Sequence, residues 1–490
     1  MSTNFYFTKS LKRIFIEKKY FIFFLSLCIN SQIFSQLPTA TEIASKMTFG
    51  WNIGNSLEVP GGETGWGNPV VSQILIDSVK NAGFNTVRIP CSWDSHANQT
   101  NLEIDQNWLA RVNEVIDYCY NNQMYVIINV HWDGGWLENN VTAAMQDAVN
   151  KKQQAYWTQI ANYFKDYDEH LLFASANEPK VDNATQMSVL LSYHQTFIDA
   201  VRASGGNNSS RVLVIQGPST DIDKTNKLMT TLPSDSLEDH LMVEIHYYTP
   251  WNFCGLEKDE SWGKMFYFWG KDFHSTNNTT RNATWGEETA IETYFKSMKT
   301  KFVDKNIPVI LGEYSAIKRT SLSGEDLALH IASREYYYQY IANAAIRFGM
   351  IPIYWDDGYS GVNGMALFNR NNGSVVDKGA IDAIKRGVDL STSVKEKEST
   401  EINAEVEYIT ALPNPVSSST KIQFYLKDNS DLNVYVYNVL GQEVASFKNL
   451  NFNEGLHSVI WQPNRAASGT YFINVNIGKK LFTKKVLVVH

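Results

Sequence analysis

Two glutamates in this 490-residue chain stand where catalytic acids could stand. Glu178 follows the apolar run "HLLFASA" (170–176) inside "ANEP", and Glu313 closes "IPVILGE" (307–313). A buried strand normally ends in turn residues that face water, so an amide, a carboxylate and a proline in succession call for an explanation. Two carboxyl groups held about 5 Å apart suit retaining glycoside hydrolysis, one as nucleophile and the other as acid and then base. The two roles need different surroundings. A nucleophile is ionised and gains from a nearby cation such as Arg88, whereas an acid must keep its proton until the leaving oxygen takes it. The plain alternative is a pair of loop glutamates in ordinary salt bridges.

The elements that must position these groups are legible as eight apolar runs: "TFGWNIG" (48–54), "NTVRIP" (85–90), "MYVIINV" (124–130), "HLLFASA" (170–176), "RVLVIQG" (211–217), "LMVEIHY" (241–247), "IPVILGE" (307–313) and "MIPIYW" (350–355). Amphipathic segments separate them. Trp108, Val112, Val115 and Cys119 step by 4, 3 and 4 and so share one helical face, with Asp105 placed to cap that helix. Continuous β-branched runs alternating with helices imply parallel strands covered on both sides. Eight such units fit a (β/α)8 barrel, whose active sites lie at the C-terminal ends of the strands.

Reading the residues at or just past each strand end gives Asn52 and Asn55, Arg88, His131 and Trp132, Asn177 and Glu178, Gln216, His246 and Tyr248, Glu313, and Trp355. Nearly every strand thus delivers a polar or aromatic group to one rim, with Glu178 after the fourth strand and Glu313 after the seventh, on opposite sides of the ring. The long segment 249–288 carries Trp251, Trp262, Trp269 and Trp285 and is expected to wall a cleft, since long barrel loops are usually functional. Phe266, Tyr267 and Phe268 read as the residues that pin it down.

Composition sets the class. With 43% hydrophobic and 13% aromatic residues the chain is a well-packed globular protein, and the 13 Trp and 25 Tyr exceed what most cores need, leaving some as stacking platforms. A net charge of -8, with no basic cluster beyond the N-terminus, excludes nucleic acid as the expected partner. The four cysteines have neither a disulfide framework nor zinc spacing. No phosphate loop and no serine elbow appear, so neither metal nor cofactor is expected.

Lys9, Lys12, Arg13, Lys18 and Lys19 precede the apolar "YFIFFLSLCI" (20–29), which is the layout of a signal peptide over residues 1–36, with cleavage near Ser35 or Gln36. The apolar run is about half the roughly 20 residues that a spanning helix needs, so no stable membrane span is expected. Residues 37–389 form the barrel. The Ser/Thr/Lys/Glu-rich stretch 390–407 reads as a linker, and 408–490 holds short alternating strands separated by turns, a small β-sandwich.

The motifs "GWNIGN" (50–55), "ETGWGNP" (63–69), "RIP" (88–90), "NVHW" (129–132), "ANEP" (176–179), "EIHYY" (244–248), "ILGEY" (310–314) and "YWDDG" (354–358) resemble glycoside hydrolase family 5, in order from about Ser45 to Val388. The likeness is to the subfamily of endoglucanases, lichenases and xyloglucanases. It implies a retaining endo-β-1,4-glucanase with Glu178 as acid/base and Glu313 as nucleophile. Asn177 would bind the sugar 2-hydroxyl, Arg88 and Tyr248 would hold the nucleophile, and His246 would contact the acid/base. His131 and Trp355 would line the site, with Asn52, Asn55, Trp132 and Trp66 as further supporting or substrate-binding residues. Where the subfamily often has two successive histidines this chain has His131-Trp132, so an altered subsite is expected there. Xyloglucan, mixed-linkage glucan or mannan are the alternative substrates, and a polysaccharide binder without catalysis the alternative class.

The tail motifs "ALPNPVSSSTKIQF", "VYNVLGQEV", "EGLHSVIW" and "ASGTYFINV" resemble the C-terminal sorting domain of type IX secretion. That implies export through the periplasm to the medium or the cell surface, with the secretion machinery as partner of residues 408–490. Against the competing reading of a carbohydrate-binding module stands the single tail tryptophan, Trp461, at a position expected to be core. A monomer is expected.

Overall fold

The computed structural model describes residues 37–398, 406–426, 429–439, 441–464, 466–477 and 480–489. The expected signal segment 1–36 lies outside the described residues. Two compact units divide the chain, Met1–Val388 and Asp389–His490.

In the first unit eight parallel strands close a barrel: β1 (Gly50–Ile53), β2 (Thr86–Ile89), β3 (Tyr125–Asn129), β4 (Leu171–Ala174), β5 (Leu213–Gln216), β6 (Leu241–Tyr247), β7 (Val309–Tyr314) and β8 (Met350–Asp356). Each of the eight apolar runs in the sequence supplies one. Successive strands are neighbours and β8 pairs with β1. All residues of β1 to β5 are buried, as strands covered on both faces must be.

The covering helices follow from the same patterning. Helix Gln106–Tyr120 starts at Asp105, whose carboxylate accepts the Asn107 N–H, and buries Trp108, Val112, Val115 and Cys119 on one face. The lumen has its own core. Ile127, Leu172, Val214, Met242, Ile310, Ile351 and Ile353 pack with Ala40 and Ile43 of the helix Ala40–Lys46 and with Met47 just after it, so that this segment plugs the end of the barrel away from the strand C-termini. A capping box between Thr39 and Glu42 starts that helix. Cys91, Cys119 and Cys254 are free and buried. No helix of the described residues is long and apolar enough to cross a membrane.

The last barrel helix runs Lys378–Glu398, into the segment 390–407 read as a linker. No Gly or Pro stops it after Gly387, and the Lys/Glu run at 395–398 consists of good helix formers even without an apolar stripe. Residues 399–405 lie outside the described residues.

The second unit is a pair of antiparallel sheets. Strands β9 (Val406–Leu412), β10 (Thr420–Leu426) and β13 (Gly455–Trp461) form one; β11 (Ser430–Asn438), β12 (Glu443–Phe452), β14 (Gly469–Ile477) and β15 (Lys480–Val488) form the other. Ile422, Phe424, Leu426, Val434, Val436, Ile473 and Val475 alternate into a shared core. Trp461 belongs to that core, 4% exposed, as its strand position implied.

Candidate active site

Strand register brings the polar residues together. Asn52 of β1 lies opposite Arg88 of β2, and His246 of β6 opposite Glu313 of β7. Arg88 is wholly buried and its guanidinium organises the floor. Nη1 donates to Glu313 Oε1 at 2.9 Å and to Asn52 Oδ1 at 3.0 Å, Nη2 donates to Asn177 Oδ1 at 2.8 Å, and Nε lies 2.8 Å from Glu244 Oε1. A planar fork with five donors can do this; a lysine cannot.

Glu313 takes a second bond from Tyr248, whose hydroxyl donates to Oε2 at 2.9 Å. Across from it Glu178 Oε1 faces His246 Nδ1 at 2.7 Å. One oxygen of each glutamate and a ring nitrogen of His246 lie within 4.8 Å of one another. The side chain of Glu178 is 44% exposed and that of Glu313 only 7%, so one carboxyl opens to the cleft and the other is dry.

Burial opposes charge on His246, but Glu313, Glu178 and Glu244 outweigh it and push its pKa up to about 10. At neutral pH both ring nitrogens therefore carry protons, one facing Glu178 and the other 3.2 Å from Glu244. The spacing of Glu178, His246 and Glu313 would admit a cation, yet a protonated imidazole cannot ligate one and Arg88 already supplies positive charge there. Burial works against ionising Glu178 too, but His246 and Arg88 bring its pKa below the ordinary value. For Glu313 burial wins over His246 and Arg88 and holds the pKa up. The two carboxyls face one another and titrate as a pair.

His131 is buried and its pKa lies well below the ordinary value, through burial and then the charges of Arg88 and His246. The Cys91 N–H donates to Asn129 Oδ1, which fixes the Asn129 amide; its Nδ2 then donates to His131 Nδ1 at 3.1 Å, leaving Nε2 as the protonated nitrogen. The imidazole stacks on Trp355 with ring planes 9° apart. Gly54 makes room for that indole: a Cβ there would come within 2.7 Å of the ring.

Of the twelve residues expected at the site, Arg88, Asn52, Asn177, Tyr248 and Glu313 form one hydrogen-bonded group and Glu178 and His246 another, the two joined through Glu244, with His131 and Trp355 stacked on each other. Asn55 enters through its backbone: it has φ 56°, its N–H donates to Glu58 and its carbonyl accepts from Asn68. Trp66 and Trp132 are 53% and 41% exposed and stand outside the network. In the 249–288 loop Trp251, Trp262 and Trp285 are exposed, but Trp269 is not a wall residue. Its indole is buried against Tyr337 and donates to Gly286 O, so it pins the loop together with Phe266 and Phe268.

Two carboxylates were missed by reading strand ends alone. Glu244 is fully buried, two residues before His246 on β6; it faces Arg88 and His246 and accepts from Gln216 Nε2 at 2.6 Å. The period of two along a strand, 244 then 246, is the signal that would have found it. Gly312 leaves the space it fills, since a Cβ there would meet Glu244 Oε1 at 2.0 Å. Glu138, in the loop after β3, accepts the backbone N–H of Glu178 at 2.8 Å.

Comparison with known proteins places this geometry. The family described as cellulase (glycosyl hydrolase family 5) matches residues 51–361. The chain belongs to glycoside hydrolase family 5. Residues 410–489 match the family described as a secretion system C-terminal sorting domain. Endoglucanase A of Paenibacillus barcinonensis is 36% identical over 377 residues, covering 71% of this chain and 90% of that protein. A xyloglucan-specific endo-β-1,4-glucanase of Bacteroides ovatus is 34% identical, covering 71% and 70%. Among solved structures, a family 5 xyloglucan-specific β-1,4-glucanase from a ruminal metagenomic library, in complex with XXLG, is 41% identical with a TM-score of 0.67, covering 72% of this chain and 96% of that one. This family 5 chain is a glycoside hydrolase with an export tail.

Proposed function

We propose that the barrel is a secreted, retaining endo-β-1,4-glucanase in which Glu313 attacks the anomeric carbon and Glu178 protonates the departing oxygen. One observation carries the reading: Glu313 receives Arg88 and Tyr248 at 2.9 Å each, with Glu178 and its histidine partner within 4.8 Å. Bonds from a guanidinium and a phenol favour the carboxylate over the acid, which suits a nucleophile. A separation of this size leaves no room for a water between the two groups and so favours retention.

To act as acid and nucleophile, the two carboxyls must start the reaction with one proton between them. A sugar bound over Glu178 removes the water that now reaches it, which disfavours its charge and draws the shared proton toward it. Glu313, held by its two donors, is left as the anion. It forms the glycosyl-enzyme bond as the glycosidic C–O bond breaks and Glu178 gives its proton to the leaving oxygen. Glu178, now ionised, takes a proton from water, which attacks the anomeric carbon and releases Glu313. Asn177, oriented by Arg88, would donate to the 2-hydroxyl, and Trp355 with His131 would form the floor under the ring.

Xyloglucan is the second reading, favoured by the 34% and 41% identities to xyloglucan-specific enzymes. Reducing-sugar release on carboxymethyl cellulose, barley mixed-linkage glucan, xyloglucan, xylan and glucomannan separates them. A preference for the β-glucans supports the first reading and a preference for xyloglucan the second. No release from any of the five contradicts both. Residues 1–36 as a cleaved signal peptide, passage through the periplasm by the type IX route and a monomeric state belong to the same proposal.

A further inference from the structure

The acid/base has a holder that the network around Arg88 does not include. Glu138 lies in the turn Glu138–Asn140 after β3 and is 5% exposed. Its carboxylate accepts the backbone N–H of Glu178 at 2.8 Å, and its own carbonyl accepts the N–H of Lys180 at 3.0 Å. The turn that holds Glu138 is itself fixed: Tyr193 donates to the Asn140 carbonyl at 2.8 Å, and the Asn140 amide donates to Trp136 O at 3.0 Å.

On the other side, the loop after β5 grips the same stretch. Ser219 N–H donates to Pro179 O at 2.8 Å, and the Thr220 hydroxyl stands 3.4 Å from Glu178 Oε1. Ser219 and Thr220 have φ of 53° and 47°, left-handed values that are costly for a β-branched residue and typical of functional sites. Residues 177–181 are thus held from both neighbouring loops.

We propose that Glu138 is a positioning residue for Glu178, fixing the backbone from which the proton donor reaches the glycosidic oxygen. A buried carboxylate is a costly way to satisfy one backbone N–H unless the geometry matters, because burial raises the pKa of Glu138. Loss of Glu138 frees the Glu178 N–H and lets the turn drift. Proton donation is sensitive to such drift, whereas attack by Glu313 is not, because Glu313 is held by Arg88 and Tyr248.

The inference rests on Glu178 being the acid, and the test separates the two. Full-length parent, Glu138→Ala, Glu138→Gln and Glu178→Ala are compared by kcat/KM on a soluble β-glucan and on a dinitrophenyl β-cellobioside. The dinitrophenolate leaves without a proton, so kcat/KM on that substrate reports nucleophilic attack alone. Glu178→Ala should lose about 100-fold or more on the glucan and little on the aryl glycoside; equal losses on both would sink the acid assignment itself. Given that control, Glu138→Ala should show the same selective loss, roughly 100-fold on glucan and within about five-fold on the aryl glycoside. Glu138→Gln keeps an oxygen acceptor and should recover to within about ten-fold of the parent on glucan. Equal losses of Glu138→Ala on both substrates, or no loss on either, overturns the positioning role. The retained aryl activity doubles as the check that the variant is folded.

Discussion

The guanidinium of Arg88 lies 2.9 Å from the carboxylate of Glu313 and is itself wholly buried. Burying one such charge is affordable only when its partners are in place, and Arg88 has four: Glu313, Glu244, Asn52 and Asn177. The same bonds that satisfy the cation orient the nucleophile and the amide beside the acid. Stability and catalysis therefore share one residue.

Replacing it separates the two effects poorly, which is itself a prediction. Arg88→Ala leaves buried Glu244 and Glu313 to share the single His246 imidazolium and should cost about 3–5 kcal/mol in denaturant unfolding, along with a loss of nearly all activity. A variant as stable as the parent would mean that the His246 imidazolium alone satisfies Glu244.

Tyr248→Phe is the cleaner probe of the nucleophile. It removes one donor to Glu313 and leaves the ring, so stability should barely change while kcat/KM falls about 10- to 100-fold, the worth of one bond to a charged group. Steady-state kinetics on a soluble glucan reads this directly.

Glu58 gives a pH dependence far simpler than that of the coupled pair. It is fully buried beneath the β1 loop, accepts the N–H groups of Asn55 and Ser56, and burial pushes its pKa from 4.5 up to about 7. A raised pKa means that the folded state binds the proton more tightly than the unfolded one. The resulting stability is complete below about 4.5 and is lost as pH rises through about 7. The Tm of the parent should fall more steeply between pH 4.5 and 8 than that of Glu58→Gln, which has no proton to lose there. Parallel curves would remove Glu58 as the cause.

The tail should be dispensable for chemistry. Truncation after Glu398 removes the sorting domain and should leave kcat/KM on soluble glucan within about two-fold, because each unit has its own core, while abolishing export in the native host. A large fall in kcat/KM would give the tail a part in substrate binding.

How far the sequence could be read depended on periodicity. The eight strands were legible because each is a continuous apolar run, and with them came the rim residues at their ends. Glu244 was hidden because it sits inside a strand, where a lone acidic residue among apolar ones marks an inward face only once the alternation from His246 backward is followed. Glu138 had no periodic context at all: "GGWLENN" is a turn, and what makes it functional is a backbone N–H supplied from 40 residues later in the chain. Trp269 and Trp262 could not be told apart for the same reason, since in an irregular loop only the packing against Tyr337 decides which indole is core. The helix past Leu390 was unreadable by pattern because an apolar stripe is what periodicity detects.

The central claim, that Glu313 is the nucleophile of a retaining mechanism, meets its most direct test in covalent trapping. The protein is incubated with a 2-deoxy-2-fluoro-β-cellobioside bearing a dinitrophenolate leaving group, and peptides are sequenced by mass spectrometry. A single fluoroglycosyl adduct on Glu313 is the expected result. An adduct on Glu178, or turnover with inversion and no adduct, would contradict it.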